Sequence, residues 1–146
     1  MTDDRPLLTT RTLGETENAL RALLSQTLGG TGLDYQRWVV LSVVARSQPS
    51  ISTTELATRL AKSLKIDAAA AVALIDDLRA RHILDQAGDP IALTADGAAL
   101  FQRLDAEIGE LTRTLWAGLD ADDLAAAYRV HSTITDRANQ LLARRD

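Results

Sequence analysis

Lys62, Ser63 and Lys65, preceded by Arg59, stand at the head of the stretch LAKSLKIDAAAAVALIDDLRARHIL, residues 60–84. Cations and a hydroxyl gathered near helix ends suit the neutralisation of phosphate oxygens, the sequence-independent part of nucleic-acid binding. Lys62 and Lys65 are the chain's only lysines. Between Arg46 and Lys65, four cations stand against the single carboxylate of Glu55, although the whole chain carries a net charge of −4; the distribution matters more than the sum. Other chemistry is poorly supplied. Cysteine is absent, which excludes disulfides, thiolate nucleophiles and thiolate metal sites. His82 and His131 are the two imidazoles, and neither lies in an H-E-x-x-H spacing. Asp76 and Asp77 are helix neighbours pointing about 100° apart, a solvated face rather than an acid/base pair. With no G-x-S-x-G, no glycine-rich phosphate loop and no dinucleotide fingerprint, neither enzymatic activity nor a cofactor or metal is expected.

The elements that must carry these residues are helical. The chain has 146 residues, 46% hydrophobic and 25% charged, within the globular range and enough to bury a core. No apolar run approaches the roughly 20 residues of a membrane helix. The start MTDDRPLLTTRT has no basic segment followed by an apolar one, so a soluble cytoplasmic protein is expected. Apolar residues recur at helical spacing. A first helix is predicted over about Thr10 to Leu28, with Leu13, Leu20 and Leu24 on one face and GGTG at 29–32 ending it. A second begins at the N-cap Asp34 and is apolar nearly all round, from Tyr35 and Trp38 to Val44, which makes it a buried hub.

STTE, residues 52–55, reads as a capping box in which Ser52 takes an orphan amide and Glu55 reaches back to the Ser52 N–H. The third helix so begun turns Leu56, Leu60 and Leu64 inward. Asp67 caps a fourth, with Ala71, Leu74, Ile75 and Leu78 as its buried stripe. Two short helices so tightly linked make a helix-turn-helix. HIL and IALT around a turn of Gly88, Asp89 and Pro90 predict a small β-hairpin, or wing. Thr94 caps a fifth helix with the stripe Leu104, Ile108, Leu111 and Leu115, closed by Gly118. Asp120 caps a sixth, where Leu124, Tyr128, His131, Ile134, Ala138 and Leu141 fall near heptad spacing and Arg144 and Arg145 occupy the last turn. The stripes of the first, fifth and sixth helices exceed what a small centre can cover and call for pairing with a second chain, the alternative being a monomeric bundle that folds these helices onto one another.

This order, carried by GLDYQRWVVL (32–41), residues 60–84, LTADGAALFQRL (93–104) and LWAGLDADDLAAAYRV (115–130), resembles the MarR family of winged helix-turn-helix regulators over nearly the full chain. The resemblance implies a mainly α fold with a short β-hairpin wing and a helical dimerisation region. It makes 1–146 one winged-helix unit, with 10–46 and 95–146 as dimerisation helices and hub and 47–94 as the DNA-binding lobe. It further implies a homodimer that represses from an operator, with Leu13, Leu20, Leu124, Tyr128, His131, Ile134 and Leu141 at the interface. Two recognition helices would then enter successive major grooves.

The DNA face departs from the family pattern. With the stripe inward, Ala69, Ala70, Ala73, Asp77 and Ala80 look outward. Alanine can touch a thymine methyl but cannot make the paired bonds that identify a purine, and Asp77 would repel phosphate. QAGDP, 86–90, replaces the Asp-x-Arg that sends an arginine into the minor groove. His82 stands where many members have glycine and suits bonding to helix-end carbonyls. Phosphate contacts then fall to Arg59, Lys62, Ser63, Lys65, Arg79 and Arg81, with discrimination left to methyl contacts and DNA shape. The alternative is a winged-helix dimer that has lost DNA binding and serves as a ligand- or protein-binding scaffold. The resemblance also implies release from DNA by a small aromatic or phenolic ligand, with Tyr35, Trp38 and Trp116 as walls and Arg11 or Arg46 as anion partner. For Trp38, core packing is the competing role.

Overall fold

A computed structural model describes residues 6–47 and 49–145. The first five residues, part of the start that bears on targeting, lie outside the described residues. Six helices follow in order: α1 (Thr10–Leu28), α2 (Tyr35–Arg46), α3 (Thr53–Leu64), α4 (Ala68–Ala80), α5 (Ala95–Trp116) and α6 (Ala121–Ala143). The chain forms two compact units, Met1–Gly109 and Glu110–Asp146, with α5 running through the boundary.

In the first unit α2 is the hub. It packs on α1, α3 and α4, and α3 packs on α4. Val40 and Leu41 of α2, Leu56 and Leu60 of α3, Ala71, Ile75 and Leu78 of α4, and Leu84 beyond it lose all contact with water. Each such large side chain contributes about 1.5–3 kcal/mol by leaving solvent, and the three α4 positions, with the nearly buried Leu74, are those of the predicted stripe. The start of α5 is held to α2 by a stack: Trp38 lies on Phe101 with ring centroids 5.7 Å apart. The Arg46 guanidinium sits 5.4 Å from the centre of the same ring and pairs with Asp105. Trp38 is thus a buried core residue, and Phe101 is the partner that sequence patterning missed.

Helix starts follow the predicted caps at Asp34, Ser52, Asp67 and Asp120, whose side chains each accept a first-turn N–H. Two details differ. Ser52 accepts from the Glu55 N–H at 3.1 Å, but the Glu55 carboxylate pairs with Arg59 instead of reaching back, because an i,i+4 cation competes for it. A reciprocal capping box forms elsewhere, between Thr9 and Thr12 at the start of α1. Arg144 and Arg145 fall just past the end of α6 rather than in its last turn, Arg144 being the C-cap.

The wing is present in minimal form. Leu84 lies opposite Leu93, with the Asp85 N–H donating to the Ala92 carbonyl at 3.0 Å and the Thr94 N–H to the Ile83 carbonyl at 3.1 Å. A third piece of chain joins it: Ile51 pairs with Ile91, whose N–H donates to the Ile51 carbonyl at 2.9 Å. The turn is tied back as well, since the Asp89 carboxylate accepts from the Thr53 N–H at 2.9 Å. At the start of α5 the Gly97 N–H donates to the Thr94 hydroxyl at 2.9 Å. A Cβ at Gly97 would stand 2.1 Å from the Ile83 carbonyl oxygen, so only glycine lets helix and wing approach this closely.

In the second unit Gly118, at φ +75°, follows the end of α5. On α6 no residue is buried, and Tyr128, Val130, Ile134, Leu141 and Leu142 are exposed large hydrophobics.

Candidate nucleic-acid interface

The helix-turn-helix is made by the chain LKID between α3 and α4. Lys65 adopts the left-handed conformation at φ 55°, ψ 45° and its N–H donates to the Ala61 carbonyl, closing α3 where glycine is usual at a cost of about 1–2 kcal/mol. Ile66 turns toward the core. Asp67 then caps α4 by accepting from the Ala70 N–H at 2.7 Å, so α4 starts within three residues of Lys65.

Around this corner Lys62, Ser63 and Lys65 are exposed, and among the described residues their side chains make no hydrogen bond or ion pair. Arg59 is exposed as well, its guanidinium on Glu55 at 2.6 Å. Ala69, Ala70 and Ala73 are exposed on α4 as expected, together with Val72, Asp76 and Ala80. This surface offers methyl groups and one carboxylate, and no side-chain donor.

Asp77 corrects the sequence reading. It does not face outward with the alanines: its Oδ2 accepts from the Arg37 Nε at 2.7 Å and from the Arg81 Nε at 2.8 Å, and its side chain is 32% exposed. The exposed carboxylate of α4 is Asp76. Arg81 is engaged further, its guanidinium donating to the Gly32 carbonyl at 2.8 Å. Arg79 is likewise occupied within the lobe. It donates to the Gly88 carbonyl at 3.1 Å and to the Thr53 hydroxyl at 3.4 Å, strapping the wing turn to α3 and α4, while its Nε is buried without a partner. Of the six expected phosphate contacts, four stand free or on a surface ion pair and two are spent on internal bonds.

His82 stands at φ 58°, the backbone state for which glycine is the ordinary choice. Its N–H donates to the Arg79 carbonyl at 3.0 Å and its own carbonyl accepts from the Thr94 hydroxyl at 2.6 Å. The imidazole does not bond helix-end carbonyls as expected; Nδ1 pairs with the Gln86 amide at 3.1 Å.

Within the first unit Tyr35 and Trp38 have separate partners. The Arg21 guanidinium covers the Tyr35 ring at 4.4 Å, Trp38 is stacked in the core, and Arg46 is bound to Asp105. Arg11 pairs with Glu15 ten residues before Arg21, about 15 Å along the helix. Trp116 belongs to the second unit and is exposed. Of the interface candidates, Leu13 and Leu124 are half-buried, and Leu20, Tyr128, His131, Ile134 and Leu141 are exposed. Among the described residues no group of three or more acidic or histidine side chains is placed to hold a metal, and no helix is long and apolar enough to cross a membrane.

No family model matches the chain, and no curated protein sequence does. Solved structures do. The transcriptional regulator PA3341 superposes with a TM-score of 0.71 at 24% identity, over 89% of this chain and 97% of its own. The MarR-family protein Rv2887 of Mycobacterium tuberculosis gives 0.61 at 25% identity, over 92% and 97%. This is the MarR-family winged-helix fold. BpsR of Bordetella bronchiseptica, whose DNA binding is regulated by 6-hydroxynicotinic acid, gives 0.66 at 23% identity over 90% and 99%. In this fold the helix-turn-helix is α3–α4 and the wing is 83–94.

Electrostatics marks Asp77 out within the lobe. The Arg37 hydrogen bond, above all, holds its carboxyl below the ordinary aspartate value of 3.8 against the opposing effect of desolvation, with Arg81 adding to the pull. Arg37 is raised in turn, chiefly by Asp77. A carboxyl lowered on folding stabilises fully above its unfolded-state pKa, and that contribution is lost as pH falls through the lower folded-state value. Asp77→Asn is therefore expected to lower the melting temperature near neutral pH and to lose less of it than the unsubstituted chain between roughly pH 5 and pH 2. Equal losses in the two proteins, followed by circular dichroism, would show that the ion pair contributes nothing.

Proposed function

We propose that this chain is a homodimeric DNA-binding transcriptional regulator, acting as a repressor and released from DNA by a small aromatic ligand. The observation that carries the DNA reading is the α3–α4 corner. Unengaged Lys62, Ser63 and Lys65 stand beside an α4 whose outer face is open to solvent, in a fold shared with transcriptional regulators. Arg59, Lys62, Ser63 and Lys65 contact phosphates, and Ala69, Ala70 and Ala73 approach the base edges. With only methyl groups on that face, affinity rests on the phosphates, and discrimination rests on thymine methyls and duplex shape.

If so, Lys62→Ala and Lys65→Ala each weaken binding to all duplexes alike and reduce the salt slope by roughly one unit per lost contact. Mobility shifts on the DNA flanking the protein's own gene, run at several salt concentrations, measure this, and normal binding by the double variant would overturn the assignment. The donor-free face of α4 favours a second reading, a scaffold that no longer binds DNA. No complex with any duplex at low salt would select it.

The dimer reading rests on the exposed apolar residues of α6, where Tyr128 is 74% and Leu141 57% accessible, together with Leu13 and Leu20 of α1. Joint replacement of Ile134 and Leu141 by aspartate places charge on that surface without touching a buried residue. A shift from dimer to monomer in sedimentation with helix content retained is the expected result, and an unchanged sedimenting species would remove α6 from the interface. Ligand release draws on the likeness to BpsR. An aromatic acid such as 6-hydroxynicotinic acid should dissociate the complex and raise the melting temperature by binding the native state; a panel of such acids doing neither would exclude it.

A further inference from the structure

We infer that Arg37, Asp77 and Arg81 are positioning residues for the reading helix, through which the α1–α2 connection sets the direction in which α4 presents its exposed N-terminal half. The inference rests on the reading of α4 as the DNA helix.

Apolar burial is non-directional: the stripe Ala71, Leu74, Ile75 and Leu78 keeps α4 against its neighbours and fixes which side faces in, but leaves tilt and slide loosely set. The outer side of its N-terminal half, Ala69, Ala70, Val72 and Ala73, makes no polar bond to another element, and its cap Asp67 bonds only within the same turn. Direction comes from the other end. The Asp77 Oδ2 takes the Nε of Arg37 at 2.7 Å and of Arg81 at 2.8 Å. Arg37 is oriented by Asp34, whose Oδ2 accepts from its guanidinium at 2.7 Å and whose Oδ1 caps α2 through the Arg37 N–H at 2.9 Å. Arg81 reaches back to the Gly32 carbonyl at 2.8 Å. The circuit therefore runs from the α1–α2 connection to the cap and first turn of α2, across to α4, and back to the connection. Gly32 sits at φ +75°, and a Cβ there would approach the Arg81 guanidinium to 3.0 Å, so the connection is shaped around this strap. Charge-assisted bonds at such distances are both stronger and more directional than neutral ones.

An ordinary surface ion pair and a positioning circuit differ in what their loss moves. Losing a surface pair lowers stability alone. Losing the circuit loosens the connection and the end of α4 together and weakens DNA binding, with no phosphate contact removed. The experiment compares the full chain with Asp77→Asn and with Arg37→Lys, which keeps every charge but removes the planar fork that reaches Asp34 and Asp77 at once. Amide hydrogen exchange is recorded on the free protein, and affinity for the duplex flanking its own gene is measured across salt. The expected result is faster exchange at residues 32–37 and at the C-terminal half of α4 in both variants, unchanged exchange in α3, and several-fold weaker binding with the same salt slope. Faster exchange confined to α4, or unaltered affinity with lowered stability, would overturn the inference. Failure of the unsubstituted chain to bind any duplex would instead overturn the DNA reading; whether connection and helix are tied would still be decided by exchange.

Discussion

The rotation of α4 about its own axis is the constraint that the rest of the lobe inherits. Once Ala71, Leu74, Ile75 and Leu78 are committed to the space against α2 and α3, 3.6-residue geometry leaves no freedom over what faces out. Ala69, Ala70, Ala73 and Ala80 are delivered to solvent, and Asp77 falls at the edge of the buried stripe within reach of Arg37. The same commitment places Arg79 within reach of the wing turn. The packing face of α4 is complete, and the face it turns to solvent is nearly bare of polar groups.

That bareness divides the work among the cations. Arg79 and Arg81 hold the lobe together, one through the wing turn and the other through the α1–α2 connection. Among the described residues the side chains of Lys62 and Lys65 make no internal bond and stand exposed. Folding therefore uses arginine, whose planar fork serves two acceptors at once, and leaves the lysines, suited to contacting phosphate as point charges, at the exposed corner. The +φ conformation of Lys65 belongs to this arrangement: a residue that costs strain as a helix terminator is retained where its side chain projects from the corner beside the start of α4.

What could be read from the sequence was local. Asp34, Asp67 and Asp120 cap helices because a short carboxylate two or three residues ahead of an apolar run has few other uses, and the α4 stripe follows from periodicity alone. What could not be read depends on partners far along the chain. Arg37 and Asp77 are forty residues apart, Thr53 and Asp89 thirty-six, and Ile51 joins the wing from the other side of the helix-turn-helix. Asp77 looked solvent-facing because a helical wheel carries no information about a cation on another helix. At Glu55 two local partners compete for one carboxylate, and the longer-reaching Arg59 takes it. At the candidate site, exposure of the alanines was legible and the internal engagement of Arg79 and Arg81 was not.

In the function proposed above, DNA is met at the corner where α3 ends and α4 begins. Amide hydrogen exchange of the chain with and without a saturating duplex from its own flanking DNA tests this most directly, since a contact surface is protected where it is covered. Protection concentrated at residues 59–73 is the predicted result. A saturated complex that leaves 59–73 unprotected and covers another surface of the protein would contradict it.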